Sequence, residues 1–142
     1  LISLASTRSG LKLRIKMSVS KLQLRPTISS NQKKGTCSVE ENFQNEIVRP
    51  IVKLQNDLLL SYFEHFISIK KNNLNDLNQA QLKDILKKYF SRDSRLKADL
   101  KGLIIGLFTL EEFNVYLTMV SQINKRIYSI VEERITSSYL NS

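Results

Sequence analysis

Histidine, cysteine and paired carboxylates are the side chains that most often bind metals or catalyse reactions, and this chain has few of them in a useful arrangement. It contains one histidine, His65, and one cysteine, Cys37, which lie far apart in the sequence. A di-iron site in a helical bundle requires Glu-x-x-His pairs. Position 62 is Tyr62 rather than glutamate, so His65 does not complete such a pair. We therefore predict neither a metal site nor a cofactor.

Other patterns associated with catalysis are missing or have a structural explanation. Neither the phosphate-binding GxxxxGK[ST] pattern nor the dinucleotide-binding GxGxxG pattern occurs. Adjacent glutamates begin at Glu40, Glu111 and Glu132. The first two pairs fall in predicted first turns of helices, where the helix dipole favours acids. Enzymatic activity is left undecided, but the sequence contains no recognisable catalytic constellation, and a non-catalytic role is favoured.

The net charge of +9 is concentrated at the N-terminus. Residues 1–39 carry no acidic side chain, whereas residues 40–142 carry 14 basic and 13 acidic ones. We predict a disordered basic N-terminal arm over 1–39 and a folded domain over 40–142. A basic arm can bind polyanions. The basic residues of the arm are Arg8, Lys12, Arg14, Lys16, Lys21, Arg25, Lys33 and Lys34.

The arm also bears on where the protein acts. The first methionine is Met17, so residues 1–16 are interpreted as a leader or as a non-native extension. One cysteine cannot form an internal disulfide, and a reducing cytoplasm is the default interpretation. The acid-free, serine-rich arm is also typical of an organellar transit peptide, which is the alternative. No run approaches the roughly 18 apolar residues of a membrane-spanning helix.

Hydrophobic spacing predicts an all-α fold, a compact bundle of about four helices with two long and two short members. A capping box at Ser38 begins the first long helix, and Pro50 either bends it or starts its main part. A shorter helix is expected over about Gln79–Phe90, and Asp93 or Ser94 caps the next. A second capping box at Thr109 begins the last long helix, along which a heptad-like apolar seam is predicted at Phe113, Leu117, Val120, Ile127 and Val131.

The stretch LKGLIIGLFTLEEF, residues 100–113, is the most apolar part of the chain and contains two glycines four residues apart. We interpret it as the end of one buried helix, a tight turn and the start of the next helix. Gly102 and Gly106 would lie on one helix face, where a neighbouring helix could approach closely. Alternatively, Gly106 ends the helix, as glycine often does.

Apolar side chains between Leu58 and Ile69 cover more than one face of the first long helix. Such a helix is either central in its domain or part of a subunit interface. Cations between Lys83 and Lys101 make the second and third helices locally positive. The predicted interaction surface combines both features and comprises Leu59, Tyr62, Phe63, Phe66, Lys83, Lys87, Arg95 and Lys101.

Three segments together resemble a family of small all-helical bacterial proteins that often carry the label "glyoxalase". They are ENFQNEIVRPIVKLQNDLL from Glu41, LKGLIIGLFTLEEF from Leu100 and NKRIYSIVEER from Asn124. The resemblance covers about residues 17–138 and implies no established activity. The label conflicts with these residues, because type I glyoxalases use βαβββ modules and type II glyoxalases use several histidines.

The sequence thus favours a non-catalytic helical protein that acts through protein–protein contacts in an accessory or regulatory role. Its partner is not specified, and a homodimer is one option. The alternative is nucleic-acid or polyanion binding through the basic arm and the Lys83–Lys101 surface.

Overall fold

A computed structural model describes residues 20–27, 38–70 and 73–141 of the chain. All regular structure in these residues is helical, which confirms the all-α prediction. In chain order the elements are α1 (Lys21–Leu24), α2 (Val39–Phe43), a π-helical turn (Gln44–Val48), α3 (Arg49–Leu54), α4 (Asn56–Ile69), α5 (Gln79–Arg92), α6 (Ser94–Ile105), α7 (Leu110–Leu117) and α8 (Val120–Leu140). The predicted count of about four helices is wrong, because both predicted long helices are divided.

The first long helix is divided at the π-helical turn and again at Gln55. In the π-helical turn, the backbone N–H of Arg49 donates to the carbonyl of Gln44, five residues earlier. Pro50 follows directly, and in a regular α-helix its ring would crowd the carbonyl four residues before it. The wider turn relieves this crowding, so the chain stays helical through the proline.

The last long helix is divided at Thr118 and Met119. Met119 has φ −148° and ψ 43°, which is not helical, and α8 starts at the next residue. The break changes the rotational phase of the apolar residues on its two sides. As a result Leu117 and Val120, which the heptad-like spacing would place in the core, are exposed.

Sequence capping signals locate several helix starts. The side chain of Thr109 accepts from the backbone of Glu112, and the Glu112 carboxylate accepts from the backbone of Thr109, which confirms that capping box. Asn78 and Gln81 form the same reciprocal pair before α5. Asp93 caps α6. Helix boundaries that lack such a polar signal, such as the break at Met119 between α7 and α8, were not predicted.

The glycines in α6 and after it have no close helix neighbour. A Cβ placed on Gly102 would meet nothing within 4 Å, so the predicted close approach of a second helix at this face is wrong. Gly106 instead follows the last residue of α6 as its C-cap, with a right-handed φ of −58°. The alternative prediction, that Gly106 ends the helix, is the one confirmed.

The consecutive helices α3 and α4 run parallel to α8. Gln44 accepts a hydrogen bond from Arg126 near one end of the pair, and Phe63 contacts the ring of Tyr139 near the other. Helix α6 runs antiparallel to α4 and also contacts α8. One apolar core lies between these helices and α5. Its most buried large members are Phe63, Ile51, Leu59, Leu86, Leu96, Leu100, Ile104, Ile123, Ile127 and Ile135.

Candidate interaction surfaces

The apolar half of the predicted interaction surface lies mostly inside the domain. Leu59 and Phe63 are 0% exposed and belong to the core, so they are not part of a surface. Tyr62 and Phe66 are half-buried. The sequence left open whether this helix is central or lies at an interface; in the structure α4 buries one face through Leu59, Phe63 and Ile67 and leaves Leu58 and Ile69 exposed.

Phe63 is the middle of an aromatic cluster that joins α4, α5 and α8. Its ring lies 5.9 Å from that of Phe66, 5.6 Å from that of Phe90 and 5.5 Å from that of Tyr139. Phe66 in turn packs edge-on against Tyr89 at 5.3 Å. Aromatic pairs at these separations stabilise a core beyond the area that they bury. The cluster therefore explains why apolar residues occupy several faces of α4.

Tyr62 has a polar role instead of an interfacial one. Its hydroxyl donates a hydrogen bond to the carboxylate of Asp99 on α6. That hydrogen bond, with burial and the negative charge of Asp99 adding to it, raises the pKa of Tyr62 to about 12. Tyr62 therefore joins α4 to α6 as a neutral donor.

The basic half of the predicted surface is divided between helices and faces. Lys83 and Lys87 are exposed on α5. On α6, Arg95 lies 4.0 Å from Asp99, on the side of α4, whereas the ammonium of Lys101 lies 6.0 Å from the ring centre of Tyr128 on α8. Arg95 and Lys101 thus face different neighbours. The structure does not bring these cations together as one site.

Part of the predicted arm contacts the domain. The guanidinium of Arg25 donates to both oxygens of the Glu112 carboxylate, at 2.7 and 2.6 Å, and also to the carbonyl of Leu107 at 2.7 Å. Lys21 donates to the carbonyl of Phe108 at 3.0 Å. Residues 20–27 are therefore held against the corner between α6 and α7. Residues 1–19 and 28–37 of the arm, which include Cys37, lie outside the described residues.

The electrostatics of this corner follow from its burial. The side chains of Arg25 and Glu112 are 8% and 14% exposed. Burial alone raises the pKa of Glu112, but the hydrogen bonds from Arg25 and Thr109 outweigh it, and the net pKa is lowered. Sequence reasoning assigned Glu112 to its capping box and overlooked Arg25. An arginine inside an arm rich in cations gave no signal that it would have a specific carboxylate partner.

Exposed apolar side chains are concentrated on α7 and the first turn of α8. Leu110 is 76% exposed, Leu117 53% and Val115 44%, and Val120 is also exposed. Leu110 and Leu117 are seven residues apart and share one face of the helix. Of the whole of α7, only Tyr116 is buried. The sequence placed the apolar surface on α4, whereas the structure places the larger exposed apolar set here.

Open clefts follow α8 on the side that faces the π-helical turn. One of them has a volume of about 490 Å³ and is lined by polar and charged side chains such as Gln44, Arg49 and Arg126. A further cleft of about 430 Å³ lies beside Tyr89 and Arg92 on α5. These are shallow surface clefts, unlike the enclosed apolar pockets that bind most small molecules.

Within the described parts of the chain, no group of three or more histidine, cysteine, aspartate or glutamate side chains could hold a metal ion. His65 lies exposed on α4. No helix among residues 20–27, 38–70 and 73–141 is both long and apolar enough to span a membrane. Comparisons with protein-family models, with curated proteins and with solved structures found no match.

Proposed function

We propose that this protein is a non-catalytic helical protein that acts through protein–protein contacts in an accessory or regulatory role. The observation that carries the proposal is the set of exposed apolar side chains on α7, where Leu110 and Leu117 share one face and Val115 is exposed elsewhere on the helix, followed by the exposed Val120. Single exposed leucines are common, but several on one short helix are typical of a surface that another protein covers. The partner supplies an apolar face, from a second copy of this chain or from another protein.

The double variant Leu110→Gln, Leu117→Gln tests this proposal. Glutamine is polar and a good helix former, so the change removes apolar surface and leaves α7 helical. Self-association is measured by light scattering from micromolar to millimolar concentration, and partner binding by affinity capture from the native host. We expect the α7 variant to lose the association, because burial of those two leucines would drive it.

A matched control is the double variant Leu58→Gln, Ile69→Gln, which removes exposed apolar side chains from α4 instead. It should associate as the wild type does. Loss of association in both double variants, or in neither, would show that α7 is not the contact surface. A wild-type protein that stays monomeric and captures no protein would contradict the proposed function itself.

The alternative prediction of polyanion binding through the arm and the Lys83–Lys101 surface has less support. Its cations are divided between faces, and most of the arm lies outside the described residues. Cytoplasmic localisation, the organellar alternative and the family resemblance remain predictions.

A further inference from the structure

Three neighbouring clefts lie along α8, bordered on their other side by the π-helical turn and α3, and the lining residues that they share join them into one groove. Three clefts of about 490, 270 and 300 Å³ form it. The first two share Arg49 and Glu133 as lining residues, and the second and third share Arg134. On α8 the lining extends from Gln122 to Ser137, a rise of roughly 22 Å at 1.5 Å per residue.

The groove is strongly cationic although its domain is nearly neutral. Its basic residues are Arg49, Lys53, Lys125, Arg126 and Arg134. Among the described residues, two carboxylates line it, Glu133 and Asp57. In the described parts of the chain, none of the five cations forms an ion pair. Their charge therefore remains available to a ligand of opposite sign.

Two of the arginines are held in place by neutral neighbours. Arg126 donates to the side-chain oxygen of Gln44 at 2.8 Å, and Arg49 donates through Nε to that of Asn45 at 3.0 Å. Both acceptors lie in the π-helical turn, so the extra residue of that turn helps to orient the cations. Guanidinium groups fixed in this way lose less conformational entropy when a carboxylate binds, which favours affinity.

We propose that this groove binds an extended acidic peptide segment of a partner protein. Carboxylates would pair with the arginines, while Gln44, Gln122 and Ser129 offer hydrogen bonds to a peptide backbone. The length of the groove matches about seven extended residues at 3.3 Å each. No aromatic side chain of the described residues lines the groove to stack on bases, and Glu133 would repel a continuous phosphate backbone. Both features disfavour single-stranded nucleic acid.

The groove shares no lining residue with the apolar face of α7, so the two proposals can fail separately. The test is binding of fluorescein-labelled heptaglutamate to the full chain, followed by anisotropy at physiological salt. The double variant Arg49→Gln, Arg134→Gln removes two groove cations. The control Lys83→Gln, Lys87→Gln removes two exposed cations on α5. Both pairs lower the net charge equally, so a difference between them reports position.

We expect the groove variant to weaken binding at least about tenfold, because charge-assisted hydrogen bonds are lost. The α5 variant should weaken it by less than about twofold, since distant charges are screened at this salt. Equal weakening by both pairs would overturn the proposal, because net charge alone would then explain the binding. No binding of heptaglutamate by the wild type would also overturn it.

An eight-residue oligothymidylate with the same label separates the two classes of polyanion. Tighter binding of this probe than of heptaglutamate, lost in the groove variant, would make the groove a nucleic-acid site and overturn the peptide proposal. Circular dichroism checks that each variant is folded. If the double groove variant unfolds, the single variant Arg134→Gln replaces it in the binding measurement. Arg134 is exposed and lines two of the three clefts.

Discussion

The ion pair between Arg25 and Glu112 is the most enclosed one among the described residues. Loss of one partner of a buried pair is costly, because the other charge is left without compensation in a poorly hydrated place. Glu112 has a second role, since its carboxylate also accepts from the backbone of Thr109. The two contributions can be separated by substituting each member of the pair.

We expect Arg25→Gln to lower the free energy of unfolding by roughly 1.5–3 kcal/mol, the range for a hydrogen bond to a charged group. Glu112→Gln should cost no less, because it weakens the cap as well. The double variant should cost less than the sum, since both single changes break the same pair. Chemical denaturation of the four proteins gives the coupling, and strict additivity would show that the pair contributes nothing.

The contribution of Glu112 to stability depends on pH, and the direction of its pKa shift fixes the sign of that dependence. The pKa of Glu112 is lowered from its ordinary value of 4.5 in the folded protein. Its contribution to stability is therefore fully present above pH 4.5 and is lost as the pH falls through the lowered pKa. Glu112→Gln should thus destabilise the protein at neutral pH and have less effect in acid. An equal effect at both pH values would contradict the role of the charge.

At the scale of elements, the sequence predicted helix starts better than interruptions. Ser, Thr, Asn and Asp caps act locally, through bonds to the backbone three residues later, so Thr109, Asn78 and Asp93 could be recognised directly. The interruptions at Gln55 and Met119 depend on how helices pack, which local spacing does not contain. Because the helix break at Met119 was not predicted, Leu117 was wrongly placed in the core.

Two residues of the predicted interaction surface, Leu59 and Phe63, were misplaced for a related reason. A helix with apolar residues on several faces is compatible with a central position and with an interface, and only the positions of α5 and α8 decide between them. Phe63 was therefore placed on a surface although it is in the core. The groove was not predicted, because its cations come from helices that are distant in sequence, such as Arg49 and Arg126.

Substitution of Gly102 tests how much helix propensity within α6 contributes to stability. It is exposed in the helix interior, and an added Cβ would meet nothing within 4 Å. Gly102→Ala should therefore stabilise the protein by about 0.5–1 kcal/mol, through better helix propensity. The matched change Gly106→Ala reduces unfolded-chain entropy in the same way, but its Cβ would lie 3.2 Å from the carbonyl oxygen of Gly102. Thermal unfolding should rank Gly102→Ala above Gly106→Ala, and the reverse order would contradict this account.

On the scale of the whole molecule, the apolar core and the charged groove use neighbouring faces of the same helix. Helix α8 places Ile123, Ile127 and Ile135 in the core at 0% exposure. Arg126 and Glu133 line the groove on another face. Since the core includes no buried polar residue among the described ones, it can hold the groove rigidly without taking part in binding. Substitutions in the groove should therefore leave stability nearly unchanged.

Because the aromatic cluster joins α4, α5 and α8, we predict that these three helices unfold as one unit. Phe63→Ala removes a fully buried ring that contacts all three helices, and we expect a loss of roughly 3–5 kcal/mol. Urea unfolding is followed by far-ultraviolet circular dichroism and by tyrosine fluorescence, which the chain's five tyrosines allow. Both signals should shift together to a lower midpoint with an unchanged slope.

The control for this change is Leu58→Ala, one turn earlier on the exposed face of α4, which should alter stability by no more than about 0.5 kcal/mol. Separate midpoints for the two signals in the wild type would mean that the cluster does not couple the helices. An effect no larger than that of Leu58→Ala would contradict the core position of Phe63. The pair of variants thus separates a core role for this helix from the interfacial role that its sequence also allows.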